Sequence, residues 1–538
     1  MLWPFGYILK GFKLELDIRK HIKDKEEENR EKFVAEMITG QVKATDKSFK
    51  FDIEPWRDRF DGLRVLFLVP GFDINVRYKS KIKIDRGHIH PLGAGLLATI
   101  LRKAGCEVKL LDIPVEKMTN ADVINYITEF QPRFIAVSCW SPTAAAAFAL
   151  SDEIKQTHKD IPIVFGGPHV TAFPEATLRR YQSIDIVAPG EGEGTILELA
   201  EHFHSGLALK DILGIGFREN NELIYNPSRP RVDNLDDLPI VDRSFFKPDG
   251  YLPLPQRYKR LPTANLVTSR GCPYACTFCF EAGRFGLKFR AQSVERVIED
   301  IKYLQKEYGV REINFWDDIF LVNKKWIYAL CTALEEEKID ISWTCESRVD
   351  HVTPELLKRI AEVGCYSIFY GFESGSNKLL EDMKKGTTVE QNRQAAEWTA
   401  EAGIGIRASF ILGLPGETPE LGQETIDFAL SLPGLDALTF SFATPHPGTD
   451  LFDEVRDQIT LDEEEYIHEL SRYTQWELTY VAPGYKNQEH KLYEMRQQAY
   501  RKFYFNPKFI WGHVKKIRSL SDIGRYYEGF KLALGVSM

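Results

Sequence analysis

Three thiols fall within eight residues, Cys272, Cys276 and Cys279, in the stretch Thr268-Ser269-Arg270-Gly271-Cys272-Pro273-Tyr274-Ala275-Cys276-Thr277-Phe278-Cys279-Phe280. Thiolates are soft ligands that suit zinc or iron–sulfur clusters. A closed zinc site takes four ligands, and no fourth Cys or His is near; the next cysteine is Cys331. Three thiolates on a four-iron cluster leave one iron open to bind a substrate. The plain alternative is three cysteines buried in a core. Gly271 and Pro273 speak against it, because they make this segment a turn. Cys106, Cys139, Cys331, Cys345 and Cys365 lie in apolar or strand-like stretches and read as core.

The stretches that would position these thiols alternate in period. An apolar run at 264–267 precedes them, and a helical pattern at 293–308 follows. Then come strands at 312–316, ending in Asp317-Asp318; at 341–345, ending in Glu346, Ser347 and Arg348; and at 367–370, ending in Gly371-Phe372-Glu373-Ser374-Gly375. Two more, at 407–412 and 438–442, end in Gly413-Leu414-Pro415-Gly416-Glu417 and in Pro445-His446-Pro447-Gly448. Six strands that each close on glycine or charge predict a partial (β/α)6 barrel with its chemistry at the carboxyl ends.

Upstream the same alternation predicts a doubly wound parallel sheet. Its strands are at 64–69, 107–112, 134–138, 162–165 and 184–187, with helices at 91–105 and 143–158. Ligands of such sheets sit beyond the carboxyl ends, where Ser138, Gly166-Gly167-Pro168-His169 and Gly190-Glu191-Gly192-Glu193-Gly194 fall. The last turn alternates glycine with glutamate and matches neither G-x-G-x-x-G nor a Walker loop. Its carboxylates would repel a phosphate, which argues against a nucleotide. Residues 214–225 read as a hairpin around Asn220-Asn221, and the Pro- and Asp-rich stretch to 262 as a boundary. The chain therefore divides into an extension (1–62), a Rossmann-like domain (63–226), a linker (227–262), a barrel (263–450) and a helical C-terminal region (451–538).

The spacing Cys-x3-Cys-x2-Cys, with Phe278 before the last cysteine, resembles the signature of the radical S-adenosylmethionine (SAM) family. With a Rossmann-like sheet upstream, the chain from about residue 63 to its end is similar to the cobalamin-binding members. The turns at 166–169 and 190–193 and the element Leu235-Asp236-Asp237-Leu238-Pro239 have counterparts there. The resemblance implies a 4Fe–4S cluster on the three cysteines, with SAM chelated at the open iron and cleaved to a 5′-deoxyadenosyl radical. It implies Phe278, Asp317 or Asp318, Arg348, Glu373, Ser374, Gly413 and Gly416 around SAM. Cobalamin is expected at Ser138, Gly166, Gly167, His169, Gly190, Glu191 and Gly192. The Asp-x-His-x-x-Gly signature of a cobalt-ligating histidine is absent, and His88, His90 and His169 read as turn or surface residues. On the residues alone, an aspartate suits the ammonium of SAM, the Arg348 fork its carboxylate, and Glu373 its ribose or ammonium. Helix capping and turn formation are the competing readings.

The 538 residues exceed one ordinary core. With 69 basic against 78 acidic side chains and a net charge of −9, general attraction to nucleic acid is not expected. No apolar run reaches the roughly 18 residues of a membrane span, and few cysteines suit a reducing cytoplasm. Leu2-Trp3-Pro4-Phe5-Gly6-Tyr7-Ile8-Leu9, with Lys10 and Lys13 behind it, suits either a membrane interface or packing onto the body. The aromatic and basic tail after Met495 reads as a cap on the barrel. The expected activity is an oxygen-sensitive methylation of an unactivated carbon in a small-molecule or lipid-like substrate. The resemblance implies a flavodoxin- or ferredoxin-type electron donor. The alternatives are radical cyclisation, carbon–carbon coupling or rearrangement without methyl transfer, and, in another class, a non-catalytic cobalamin or Fe–S sensor.

Overall fold

The computed structural model describes residues 48–71, 86–247, 250–280, 288–459, 465–467 and 478–514, with 524, 527 and 529. The aromatic N-terminal segment and most of the tail beyond 514 lie outside the described residues.

The upstream sheet contains β1 (Arg64–Val69), β2 (Glu107–Asp112), β3 (Phe134–Ser138), β4 (Ile163–Gly166) and β5 (Ile186–Ala188). They are parallel in the order β2-β1-β3-β4-β5, a doubly wound arrangement whose switch point lies between β1 and β3. Its strands read as continuous apolar runs because helices cover both faces. Leu92–Lys103 and Glu193–Ser205 pack on one face, and Asn120–Phe130 and Ala144–Thr157 on the other. The hairpin β6 (Gly216–Glu219) and β7 (Glu222–Tyr225) joins this sheet at its β5 edge, antiparallel. Asn220 and Asn221 turn it with φ of +50° and +67°, a conformation that Asn tolerates.

The second sheet has β8 (Thr263–Leu266), β9 (Glu312–Phe315), β10 (Ser342–Ser347), β11 (Cys365–Glu373), β12 (Gly405–Leu412) and β13 (Leu435–Phe442). All are parallel and in sequence order, which gives the partial (β/α)6 barrel. Its outer helices start where side chains cap them. Ser293, Asn323, Thr353, Thr388 and Thr418 accept from the amides of Arg296, Trp326, Leu356, Gln391 and Leu421, each cap contributing about 1 kcal/mol. At the amino end of the barrel, Glu312 accepts from the Lys259 and Arg260 amides at 2.8 and 2.7 Å and from Ser342 and Tyr366. The linker thereby plugs the barrel floor.

An open barrel leaves an edge, and an edge strand exposes unpaired backbone groups. Helix His490–Tyr504 covers β13. Its Tyr500 hydroxyl accepts from Phe440 N at 2.9 Å, and its Tyr504 hydroxyl donates to Leu438 O at 3.2 Å.

The turn after β12 is held from within. Gly413 and Gly416 adopt φ of +79° and +75°, which glycine permits. The Glu417 carboxylate accepts from Gly413 N at 2.9 Å and from the Tyr485 hydroxyl at 2.8 Å. Burial pushes Glu417 up to about 7, against the pull of these hydrogen bonds. A carboxyl with a raised folded-state pKa stabilises fully below its unfolded pKa, and that contribution is lost as pH rises through the folded value. Between about pH 4.5 and 7, Glu417 should therefore lower stability with rising pH by on the order of 3 kcal/mol. Glu417→Gln should flatten that part of a urea-midpoint profile, and an unchanged slope would contradict the assignment.

Candidate functional site

The three cysteines leave the barrel at its carboxyl mouth. β8 ends at Leu266, and Ser269–Arg270 pairs antiparallel with Arg290–Ala291 to close the neck of the loop. Gly271 takes φ of +87°. Thr277 N donates to Met383 O, and Leu451 N to Thr277 O, at 3.0 and 2.9 Å. The loop is thus pinned on both sides, while Cys276 and Cys279 come together through Cys279 N donating to Cys276 O at 3.0 Å. Cys276 is buried, and Cys272 and Cys279 are half-buried. Among the described residues no three His, Cys, Asp or Glu side chains converge on one ion position. Three soft thiolates on one loop fit a four-iron cluster, which takes each thiolate on a different iron. The other cysteines are buried, and burial pushes Cys106 and Cys331 up to about 12.

The strand ends around this loop divide into supports and open groups. Asp317 is a support: Oδ1 accepts from Thr268 N, Thr268 Oγ1 and Ser269 Oγ at 2.9, 2.9 and 2.5 Å. Burial pushes it up to about 6, opposed by those hydrogen bonds. Asp318 opens to solvent, and desolvation by the surrounding mouth, then the nearby Glu346 charge, raises its pKa. The guanidinium of Arg348 lies 3.6 Å from the Tyr274 ring centroid, and Nη1 reaches Cys276 Sγ at 3.7 Å. Its Nε and Nη2 grip Asp350 at 3.1 and 3.0 Å, so the fork expected to face a carboxylate of SAM is held by the chain itself. Glu373 adopts φ of +64° and pairs with buried Lys385 at 2.8 Å. Phe278 lies beside this pair, with Lys385 Nζ 5.9 Å from its ring centroid. Ser374 bonds to Thr425 and caps the amide of Ser376. Gly416 stands near Lys378, and Gly413 is covered by Leu492.

At the carboxyl edge of the upstream sheet, Ser138 and Gly166 end β3 and β4. Gly190 has φ of +87° with open space where a Cβ would project. Trp140, two residues after Ser138, is 49% exposed. The open turn at Gly190 and the exposed Trp140 ring are compatible with a large ligand at this edge. At Gly167 a Cβ would meet Cys139 O at 2.8 Å, and at Gly192 the Leu97 side chain at 3.1 Å, so both glycines also serve packing. His169 is buried against Phe148 and Phe173, with Nδ1 bonded to Ser141 Oγ at 3.1 Å. His90 is stacked on Tyr251 and bonded to Asn265, and burial first, then Arg243, pushes its pKa down to about 3.

Glu191 and Glu193 face the barrel. Glu191 accepts from Val232 N at 2.9 Å, pairs with Arg290, and lies 3.3 Å from Arg270. Glu193 takes Arg270 at 2.6 Å. Burial works against the charge on Arg270, but the carboxylates of Glu193 and Glu191 outweigh it and hold its pKa above the ordinary value. The glycine–glutamate turn is thus tied to the neck of the cysteine loop, two residues before Cys272.

Residues 85–200 match the B12 binding domain and residues 266–429 the radical SAM superfamily. An uncharacterized methyltransferase of Pyrococcus horikoshii is 35% identical over 421 residues, 78% of this chain and 89% of that protein. The chain belongs to the cobalamin-binding radical SAM family. It is a radical SAM enzyme whose cofactors are a 4Fe–4S cluster, SAM and cobalamin. The anaerobic magnesium-protoporphyrin IX monomethyl ester cyclase of Rubrivivax gelatinosus is 26% identical, covering 83% of this chain and 78% of that protein. The fold is shared with the radical SAM methyltransferase TsrM from Kitasatospora setae, solved with cobalamin and the cluster bound. That likeness has a TM-score of 0.68 at 17% identity over 88% of this chain and 99% of that one.

Sequence reasoning did not single out Arg270, Arg290, Lys385 or Arg407. Arg270 and Lys385 carry a signal only in hindsight of the fold, because their partners lie 77 and 12 residues away. For the interdomain charges, removing one partner leaves the other buried and uncompensated, at a cost of about 3 kcal/mol. Arg290→Met should lower the urea midpoint accordingly, and Glu191→Leu with Arg290→Met should cost less than the two single changes summed. Additivity within about 0.5 kcal/mol would show that the pair is not coupled.

Proposed function

We propose that the enzyme methylates an unactivated carbon of its small-molecule substrate, using SAM as methyl donor and as radical source. The observation that carries this reading is the ionic tie between the glycine–glutamate turn and the cysteine loop, which sets the cobalamin edge against the barrel mouth. When bound, the cluster supplies the electron that cleaves SAM, and cobalamin carries the methyl group to the substrate carbon. Cys272, Cys276 and Cys279 hold the cluster. Asp318 accepts from the SAM ammonium, since Asp317 is engaged by Thr268 and Ser269. Glu373, oriented by Lys385, takes the ribose hydroxyls, and the turn from Gly413 to Gly416 lies toward the adenine. Ser138, Gly166 and Gly190, with Trp140, would form the bed of the corrin ring. A flavodoxin or ferredoxin donates the electron.

Among the described residues no helix is long and apolar enough to cross a membrane. Peripheral contact is assigned to the aromatic and basic residues 2–20, which lie outside the described residues.

Product counting tests the reading. In methylation one SAM yields S-adenosylhomocysteine and a second yields 5′-deoxyadenosine, so each methylated product should come with about one of each, because the cofactors dictate the chemistry. Alanine at Cys272, Cys276 and Cys279 together should abolish both by-products and the cluster iron, while Cys331→Ala should abolish neither. Product formed with deoxyadenosine and no S-adenosylhomocysteine would favour the reaction class of the cyclase relative. Absence of any SAM cleavage under dithionite would leave a sensor.

A further inference from the structure

The barrel lumen holds a layer of charge that no part of the cofactor machinery uses. Glu346 of β10 pairs in register with Phe369 of β11, and Phe369 with Arg407 of β12, which pairs in turn with Ala437 of β13. Residues in register on parallel strands share a face. Cys345, Ile368, Tyr370, Ile406 and Ala408, the chain neighbours, lie in the core under the outer helices, so Glu346, Phe369 and Arg407 point inward. Trp316, which follows β9, is at the same mouth, and Arg257 reaches in from the linker with its guanidinium 5.2 Å from the Trp316 centroid.

Arg407 is 8% exposed, its guanidinium stands 5.5 Å from the Phe369 centroid, and its buried Nε has no hydrogen-bond partner among the described residues. Burial lowers its pKa, and so does Arg257, while Glu346 and Tyr366 oppose them. Glu346 feels burial first, which raises its pKa, and then Arg407 and Arg257, which lower it. The other acidic group toward the floor, Glu312, is engaged by two backbone amides, Ser342 and Tyr366. Toward the mouth the next acid is Asp318, whose pKa Glu346 helps to raise. The layer therefore carries two guanidinium groups against one carboxylate. A buried charged donor without an acceptor is costly, so an unmatched guanidinium in a lumen is ready for an anion.

Resting on the methylase reading for its place in catalysis, we propose that this lumen recognises an anionic substrate, in which Arg407 and Arg257 bind a carboxylate or phosphate group and Trp316 and Phe369 hold the apolar body attached to it. Arginine suits such a group because its fork gives two parallel hydrogen bonds. Glu346 opposes the two arginines and limits how tightly any anion is held.

The test uses the reconstituted full chain under anaerobic equilibrium dialysis with 1-naphthoate, 1-naphthyl phosphate and uncharged 1-naphthol. At least one anion should bind about tenfold tighter than naphthol, a difference of 1.4 kcal/mol, and the better anion names the head group. Arg407→Met should remove the preference, Arg407→Lys should keep part of it, and Glu346→Gln should tighten anion binding. Arg407→Met should also leave the thermal midpoint unchanged or raised, because it removes a buried charge without hydrogen bonds. Equal binding of naphthol and both anions by the unaltered chain, or an intact preference in Arg407→Met, would overturn the site. A lowered midpoint in Arg407→Met would make Arg407 a structural counter-ion of Glu346 and overturn it as well. Binding needs no turnover, so the two readings separate. Anion preference without S-adenosylhomocysteine retains the lumen site and removes methylation, and S-adenosylhomocysteine without the preference does the reverse.

Discussion

Three hydrophobic cores, one in the barrel and one on each face of the upstream sheet, fold around their own helices, and a small apolar cluster of Ala172, Phe173, Phe452, Tyr466 and Ile467 joins the two bodies together with a set of ion pairs. Glu191 and Glu193 leave the carboxyl end of β5 and meet Arg270 and Arg290, the two sides of the neck of the cysteine loop. The apolar cluster alone would tolerate sliding, because hydrophobic contact has no direction. Carboxylates against guanidinium forks tolerate much less. In a chemistry in which one cofactor's reactive atom has to reach a radical generated at another, that directionality is what the rest of the architecture depends on. His90 bonded to Asn265, and Arg243 donating to Asn265 O at 2.8 Å, tie the same two bodies on the other side of β8.

Within the barrel, buried carboxylates act as staples for loops that have no secondary structure of their own. Glu312 gathers the linker at the floor, Asp317 gathers the two residues before the cysteine loop, and Glu417 gathers the turn after β12. Each is buried, and each raised pKa has burial as its largest cause. The same residue types at the same strand ends, Asp318 at the mouth and Glu346 in the lumen, have no such partners among the described residues. The division between support and site is thus a matter of hydrogen bonding, which strand-end position alone does not reveal.

That division also marks what the sequence made legible. Strand–helix alternation, the six-strand barrel and the doubly wound sheet follow from apolar periodicity and glycine turns, which are local signals. The thiols follow from spacing. By contrast, Asp317 and Asp318 are adjacent and chemically identical, and only Thr268 and Ser269 folding back onto the first distinguishes them. Glu191 looked like part of a ligand turn because its neighbours are glycines, yet its partner Arg290 is 99 residues away. Gly167 and Gly192 stand in ligand-type turns, and the packing against Cys139 and Leu97 that each also serves is not visible in sequence. Arg407 sits inside an apolar strand, where a single charge reads as an interruption until the register of three strands is known.

Glu373 shows how far a strand end can be argued from geometry alone. β11 shifts register against β12 between Gly371 and Glu373, and Glu373 then takes φ of +64°, a conformation that costs a non-glycine residue about 1–2 kcal/mol. Gly371 is what makes the fold-back feasible: a Cβ there would come within 2.2 Å of Glu373 Oε1 and 3.1 Å of Lys385 Nζ. Capping does not require any of this, since Ser374 already serves the amide of Ser376 and Thr425 that of Gly375. A bulge, a strained residue, a glycine cut to fit and a buried ion pair coincide at one point of the mouth, next to Phe278 of the cysteine loop. Packing gains nothing from that combination. On the proposed function, a carboxylate aimed by Lys385 toward SAM gives that strain a use.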